Sequence, residues 1–167
     1  MSNRRDTRSW IHAWWPVAAG TALIAIGSSA QFGADYTSGP LRWIWQSIFG
    51  PISNVRWDLV HVYIRKSGHF VVYGMIGLAW LRAWRLSFPR IRLLADVALA
   101  VFGTAVIASC DEFHQHFLPN RGSSPWDVLL DCCGATVFCL LACAIMRFSR
   151  LKRKRQLTLD DESNIVV

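Results

Sequence analysis

Four long apolar segments separated by charged stretches dominate the chain. They run over about 11–32, 66–84, 93–114 and 126–147, each close to the roughly 20 residues a helix needs to cross about 30 Å of hydrocarbon. The second is the shortest in apolar terms. The stretch from Val55 to Lys66 ahead of it keeps a helical rather than a strand period, so its helix is predicted to begin before the bilayer. Between the first two segments, Ser38-Gly39-Pro40 and Gly50-Pro51 punctuate a run with Trp43, Trp45, Ile48 and Phe49. That predicts an outer amphipathic helix over about 41–49, lying on the membrane interface or packed against the spans. The pattern thus predicts an all-α fold: an integral-membrane four-helix bundle, one transmembrane domain over 1–155 and a flexible cytoplasmic tail over 156–167.

Charge fixes the expected orientation. Of 18 basic residues, thirteen precede span one, join spans two and three, or follow span four. The other side has only Arg42, Arg56, Arg65, Lys66 and Arg121. Basic loops stay cytoplasmic, so both termini are predicted to be cytoplasmic and the protein multi-pass in the inner (cytoplasmic) membrane. Topology and anionic inner-leaflet lipids account for the net charge of +7 without any nucleic acid. A hydrophobic content of 53% with 13% aromatics excludes a disordered chain. A cleavable signal peptide is a competing reading of span one, given Arg4, Arg5, Arg8 and the small residues Ser28-Ser29-Ala30. Trp14, Trp15 and His12 instead read as interfacial anchors of a retained helix.

Polar residues within the apolar segments crowd toward the outer ends. Lys66, His69, Phe70 and Tyr73 share one helical face, with Gly77 a turn deeper. Asp111, Glu112 and Gln115 stand within about one turn at the end of span three, and Asp127 and Asp131 follow at i and i+4 in span four. Ser123 or Ser124 can cap that last helix, with Pro125 in its first position. Ionisable groups at membrane depth are costly and default to functional hypotheses. Four carboxylates against Lys66 and Arg121 could equally form a structural salt-bridge network, and their surplus could leave one acid protonated or ready to act as a base.

These residues resemble the VanZ-like family: Lys66 with His69-Phe70 and Tyr73, then Asp111-Glu112, Gln115, Phe117, Pro119 and Arg121, then Asp127, Asp131 and Gly134. The resemblance spans about Arg65 to Ala135 at motif level and the whole chain at the level of four spans with a basic tail. It implies a small bacterial integral membrane protein, whose namesake is associated with low-level teicoplanin resistance without a generally established biochemical activity. Asp131 stands where that family often has asparagine, and Asn120 where a glycine is common.

Other chemistries fit less well. Ser67-Gly68-His69 resembles part of a membrane phosphatase signature, but the partner arginine and a downstream His-x-x-x-Asp are missing. Glu112, His114, His116 and His69 offer zinc-type donors, yet His114 and His116 point about 200° apart on a helix. No metal and no cofactor are therefore expected. The five cysteines, Cys132 and Cys133 among them, read as packing residues.

Two functions remain. In a binding protein, Arg121 and Lys66 would hold an anionic group of a lipid-linked envelope molecule or lipoglycopeptide, beside Tyr73, Asp111, Gln115, Phe117 and Asp131. In an enzyme acting on an envelope lipid, Glu112 or His69 would be general acid or base, with Asp127 orienting it. Membrane lipids are the expected partners. Small residues (Gly74, Gly77, Ala100, Gly103) could serve the bundle or a homodimer.

Overall fold

The computed structural model describes residues 3–29, 33–118 and 122–165. Five helices follow in order: α1 (Asn3–Gly27), α2 (Ala34–Phe49), α3 (Asn54–Ser87), α4 (Leu93–His116) and α5 (Pro125–Ile165). No strand occurs among the described residues.

Local chemistry sets the boundaries. α2 stops at Gly50, whose φ of 85° suits only a residue without a side chain and whose N–H donates to Gln46 O. At the start of α5, Ser124 Oγ accepts the Trp126 N–H at 3.2 Å, and Pro125 takes the first helical position, where no N–H is needed. α2 begins at Ala34, a turn and more before the expected 41, because Pro40 is accommodated inside it. α3 has 34 residues, about 50 Å at 1.5 Å per residue, which exceeds the roughly 30 Å thickness of a bilayer core. α5 continues to Ile165, through most of the stretch expected to be a loose tail.

The contacts make α1, α3, α4 and α5 successively antiparallel. Near one end, Trp14 Nε1 donates to Ser87 Oγ and Arg85 pairs with Asp96 at 3.1 Å. At the other, here called the upper end, Ser28 of α1 meets Gln115 of α4, and Lys66 of α3 meets Asp127 of α5. α3 is the hub, packed on α1, α2, α4 and α5. Asp96 of α4 is buried, and Arg85 of α3 is the basic residue that meets its carboxylate.

One kink-prone position is compensated from outside its own helix. Pro16 has no N–H to give the His12 carbonyl, and Arg82 of α3 donates to that oxygen at 2.8 Å and to Ala13 O at 2.9 Å.

The interior mixes small and polar residues with a few large ones, Trp57, Tyr73, Ile76 and Leu81. Ala83, Ala100, Ala108, Ala135, Thr104 and Asp131 are fully buried, while large apolar side chains such as Ile26, Met75, Phe102 and Leu141 point outward. A side chain at Gly134 would collide with the Phe70 carbonyl, and one at Gly77 would meet Ala135 Cβ at 2.8 Å. The small residues expected to allow close contact are thus used inside the bundle.

Among the described residues, two helices, α4 and the Pro125–Leu157 part of α5, are long and apolar enough to cross a membrane. The four such spans expected from the sequence are not all of this kind. α1 interrupts its apolar run with His12, Trp14, Trp15 and Pro16, and α3 carries Arg56, Asp58, Arg65, Lys66, Arg82 and Arg85.

Candidate functional site

At the upper end, α3, α4 and α5 bring most of the singled-out residues together in two layers. Toward α5, Lys66 Nζ lies 2.5 Å from Asp127 Oδ1, a half-exposed pair. Glu112 Oε2 accepts the backbone N–H of Ser124 at 2.8 Å, which ties the end of α4 to the start of α5. Asp131 is wholly buried, and among the described residues neither of its oxygens receives a hydrogen bond. The polar atom facing it is His69 Nδ1, 3.5 Å from Oδ1. A buried carboxylate without such a neighbour is strongly disfavoured.

Toward α1, the Tyr73 hydroxyl donates to Asp111 Oδ2 at 2.9 Å. The Gln115 amide donates to the same oxygen at 2.8 Å and to Ser28 Oγ at 3.1 Å. His69 joins the layers: its Nδ1 faces Asp131 and its ring stacks on Tyr73, centroids 5.9 Å apart.

A cavity of about 440 Å³ opens on this second layer, between α1, α2, α3 and α4. Leu23, Ile24, Leu41, Ile64 and Val72 give it apolar walls, and Ser28, His69, Tyr73, Asp111 and Gln115 a polar side. Arg65 and Thr37 line it as well. Apolar walls with a few convergent polar groups are the usual build of a ligand pocket. A larger groove of about 720 Å³ between the end of α2 and the start of α3 has Arg56 as its one charged lining residue. It has no cluster of acid and base groups, so the smaller cavity is the better candidate.

α2 is held over this region by polar contacts to α3. Thr37 Oγ1 lies 3.1 Å from His61 Nε2, and Trp57 Nε1 donates to Ser38 Oγ at 2.7 Å. Burial, reinforced by nearby Arg65 and opposed by Asp58, pushes His61 below its ordinary pKa.

Other singled-out residues fall elsewhere. Lys66 is engaged by Asp127, and its neighbour Arg65 lines the cavity instead. Glu112 and Asp127 face the α4–α5 junction, so the expected acid–base trio of Glu112, His69 and Asp127 is divided, with only His69 on the cavity. Phe70 packs edge-on against Phe138 of α5, and Phe117 is 68% exposed and packs against Phe113. Arg121, with Pro119 and Asn120, lies outside the described residues. Among the described residues, no group of three His, Cys, Asp or Glu side chains is arranged to hold a metal. All five cysteines are free thiols.

Sequence reasoning missed Ser28, Thr37 and Arg65. Arg65 was findable, since it stands at i−4 from His69 on the same face. Ser28 had no signal beyond its place at the end of an apolar segment.

A family model described as VanZ/LLP1 matches residues 14–147, most of the chain. No curated protein matches the chain, and no solved structure does.

Proposed function

The chain belongs to the VanZ-like family, and on that premise we propose a multi-pass protein of the bacterial cytoplasmic membrane that binds a lipid-linked envelope molecule or lipoglycopeptide. α1, α3, α4 and α5 cross the bilayer with both termini cytoplasmic, and the upper-end cavity opens to the outer leaflet. The outward-facing large apolar residues on all four helices support the spans: Trp15 and Ile26, Val71 and Met75, Phe102 and Val106, Leu140 and Ile145. In water such a surface would promote association; in lipid it needs no cover. The basic loops support the orientation.

The observation that carries the binding reading is the cavity itself. Its apolar walls suit a hydrocarbon chain, while Arg65 and the Asp111 layer suit a head group. Arg65 takes the role the sequence suggested for Lys66, and Arg121 remains a candidate second cation. Native mass spectrometry with lipidomics tests this on wild type, Arg65→Ala and Arg121→Ala. A specific co-purifying lipid that bears an anionic group, lost on Arg65→Ala, is expected. Only bulk phospholipid in every folded form would contradict the reading.

A second reading, an enzyme that modifies the bound lipid, rests on one observation: the His69 ring lines the cavity with its Nδ1 turned to the buried Asp131 carboxylate. Asp131 would orient and stabilise His69 as a general acid or base. If so, wild type converts a bound envelope lipid to product, and His69→Ala and Asp131→Asn bind it without conversion.

A further inference from the structure

Two charged residues of opposite sign on the cavity wall form no ion pair among the described residues. Arg65 lines the cavity and forms no ion pair among the described residues, whereas Lys66 beside it is held by Asp127 and Arg85 by Asp96. Asp111, only 9% exposed, lines the same cavity. Both hydrogen bonds it receives, from Tyr73 and Gln115, go to Oδ2. Among the described residues, Oδ1 accepts none. The carboxylate is therefore fixed in orientation by two donors while one oxygen stays open to a third.

The groups are ordered in depth. Arg65, His69 and Tyr73 follow at i, i+4 and i+8 on α3, so the wall descends two turns, about 12 Å, from a cation near the mouth to the Tyr73–Asp111 contact. Bridging that separation with one head group requires the Arg65 stem to fold down the wall toward Asp111, against the usual lean of helical side chains toward the N-terminus. A purely anionic ligand would satisfy Arg65 but put negative charge near Asp111. A purely cationic ligand would meet the reverse problem at Arg65.

We propose that the cavity takes a zwitterionic amphiphile, with its phosphate or carboxylate on Arg65 and its ammonium on Asp111 Oδ1. The inference rests on the binding reading above and names the head-group class of that site. Ser28 and Gln115 act as positioning residues: the Ser28 hydroxyl fixes the Gln115 amide, whose second hydrogen holds Asp111. The apolar walls at Leu23, Ile64 and Val72 receive the chain.

Asp111→Asn is a near-isosteric test. The amide oxygen can replace Oδ2 as acceptor for Tyr73 and Gln115, leaving an NH₂ donor where the open acceptor was. Purified full-length protein is offered equal amounts of phosphatidylethanolamine and phosphatidylglycerol with matched acyl chains, and retained lipid is counted by native mass spectrometry. Wild type should retain phosphatidylethanolamine at least about tenfold over phosphatidylglycerol, a discrimination within reach of one charge-assisted hydrogen bond. Asp111→Asn should bring the ratio close to one, and Arg65→Ala should lower retention of both lipids. Ile24→Trp, which fills the cavity, should also displace both. Loss on Ile24→Trp without any head-group preference in wild type overturns the zwitterion inference and leaves the cavity reading standing. Retention unchanged by Ile24→Trp in a folded protein overturns the cavity reading itself.

Discussion

At the residue scale, adjacent basic residues have opposite uses. Lys66 meets Asp127 in a pair whose members are 49% and 24% exposed. Exposed pairs contribute at most about 1 kcal/mol, so Lys66→Met should shift thermal unfolding in detergent only slightly and leave lipid retention intact. Arg65→Met should change stability just as little but remove the co-purified lipid. Equal lipid loss in both variants would show that the assignment between the two residues is wrong. Arg82 makes a different case, because its role comes from a proline on another helix. Removing it strands the His12 carbonyl that Pro16 leaves open, at a cost of about 0.5–1.5 kcal/mol since the contact is exposed. In a Pro16→Ala background the helix supplies its own N–H, and Arg82→Ala should then cost clearly less. A double-mutant cycle on unfolding midpoints reads this coupling, and strict additivity would reject it.

At the element scale, the crossing of α3 and α5 depends on backbone proximity at Gly134 and Gly77. Gly134→Ala forces a methyl group into the Phe70 carbonyl and should destabilise by about 1–3 kcal/mol, despite the better helix propensity of alanine. Gly68→Ala meets nothing within 4 Å and should be neutral or slightly stabilising. Unfolding of the two variants side by side checks this, and equal midpoints would contradict the packing. The sequence shows why some of this crossing was legible and some was not. Spacing puts Lys66, His69, Phe70 and Tyr73 on one face. That face is wide enough to touch two neighbours, so Lys66 and Phe70 turn to α5 while Tyr73 turns to α4 and His69 stands between. Which residue meets which helix depends on rotation about α3, and helical periodicity carries no information on that. The same holds for Ser28, whose role exists only because α1 ends level with Gln115. The helices themselves, by contrast, were readable from apolar run length and from Gly50, Pro51, Ser124 and Pro125.

At the scale of the whole molecule, buried small and polar residues with exposed large apolar ones are what lipid permits. Hydropathy alone singles out α4 and α5, because α1 and α3 carry the aromatic and charged residues that line the ends and the cavity. The proposed four crossings make a specific prediction. With native cysteines replaced, a cysteine at Gly122 should react with a membrane-impermeant thiol reagent added outside cells. One at Arg90 should react only after permeabilisation. Reaction of both from outside, or the reverse pattern, would overturn the orientation.

The central claim is that the cavity between α1, α2, α3 and α4 holds a lipid-linked molecule. Its most direct test is photo-crosslinking in native membranes, using lipids with a photoreactive acyl chain and mapping the adducts by peptide mass spectrometry. The account predicts adducts concentrated on Leu23, Ile24, Ile64 and Val72, and abolished by Ile24→Trp. Adducts spread evenly over outward residues such as Phe102, Leu140 and Ile145, and unchanged by Ile24→Trp, would contradict it.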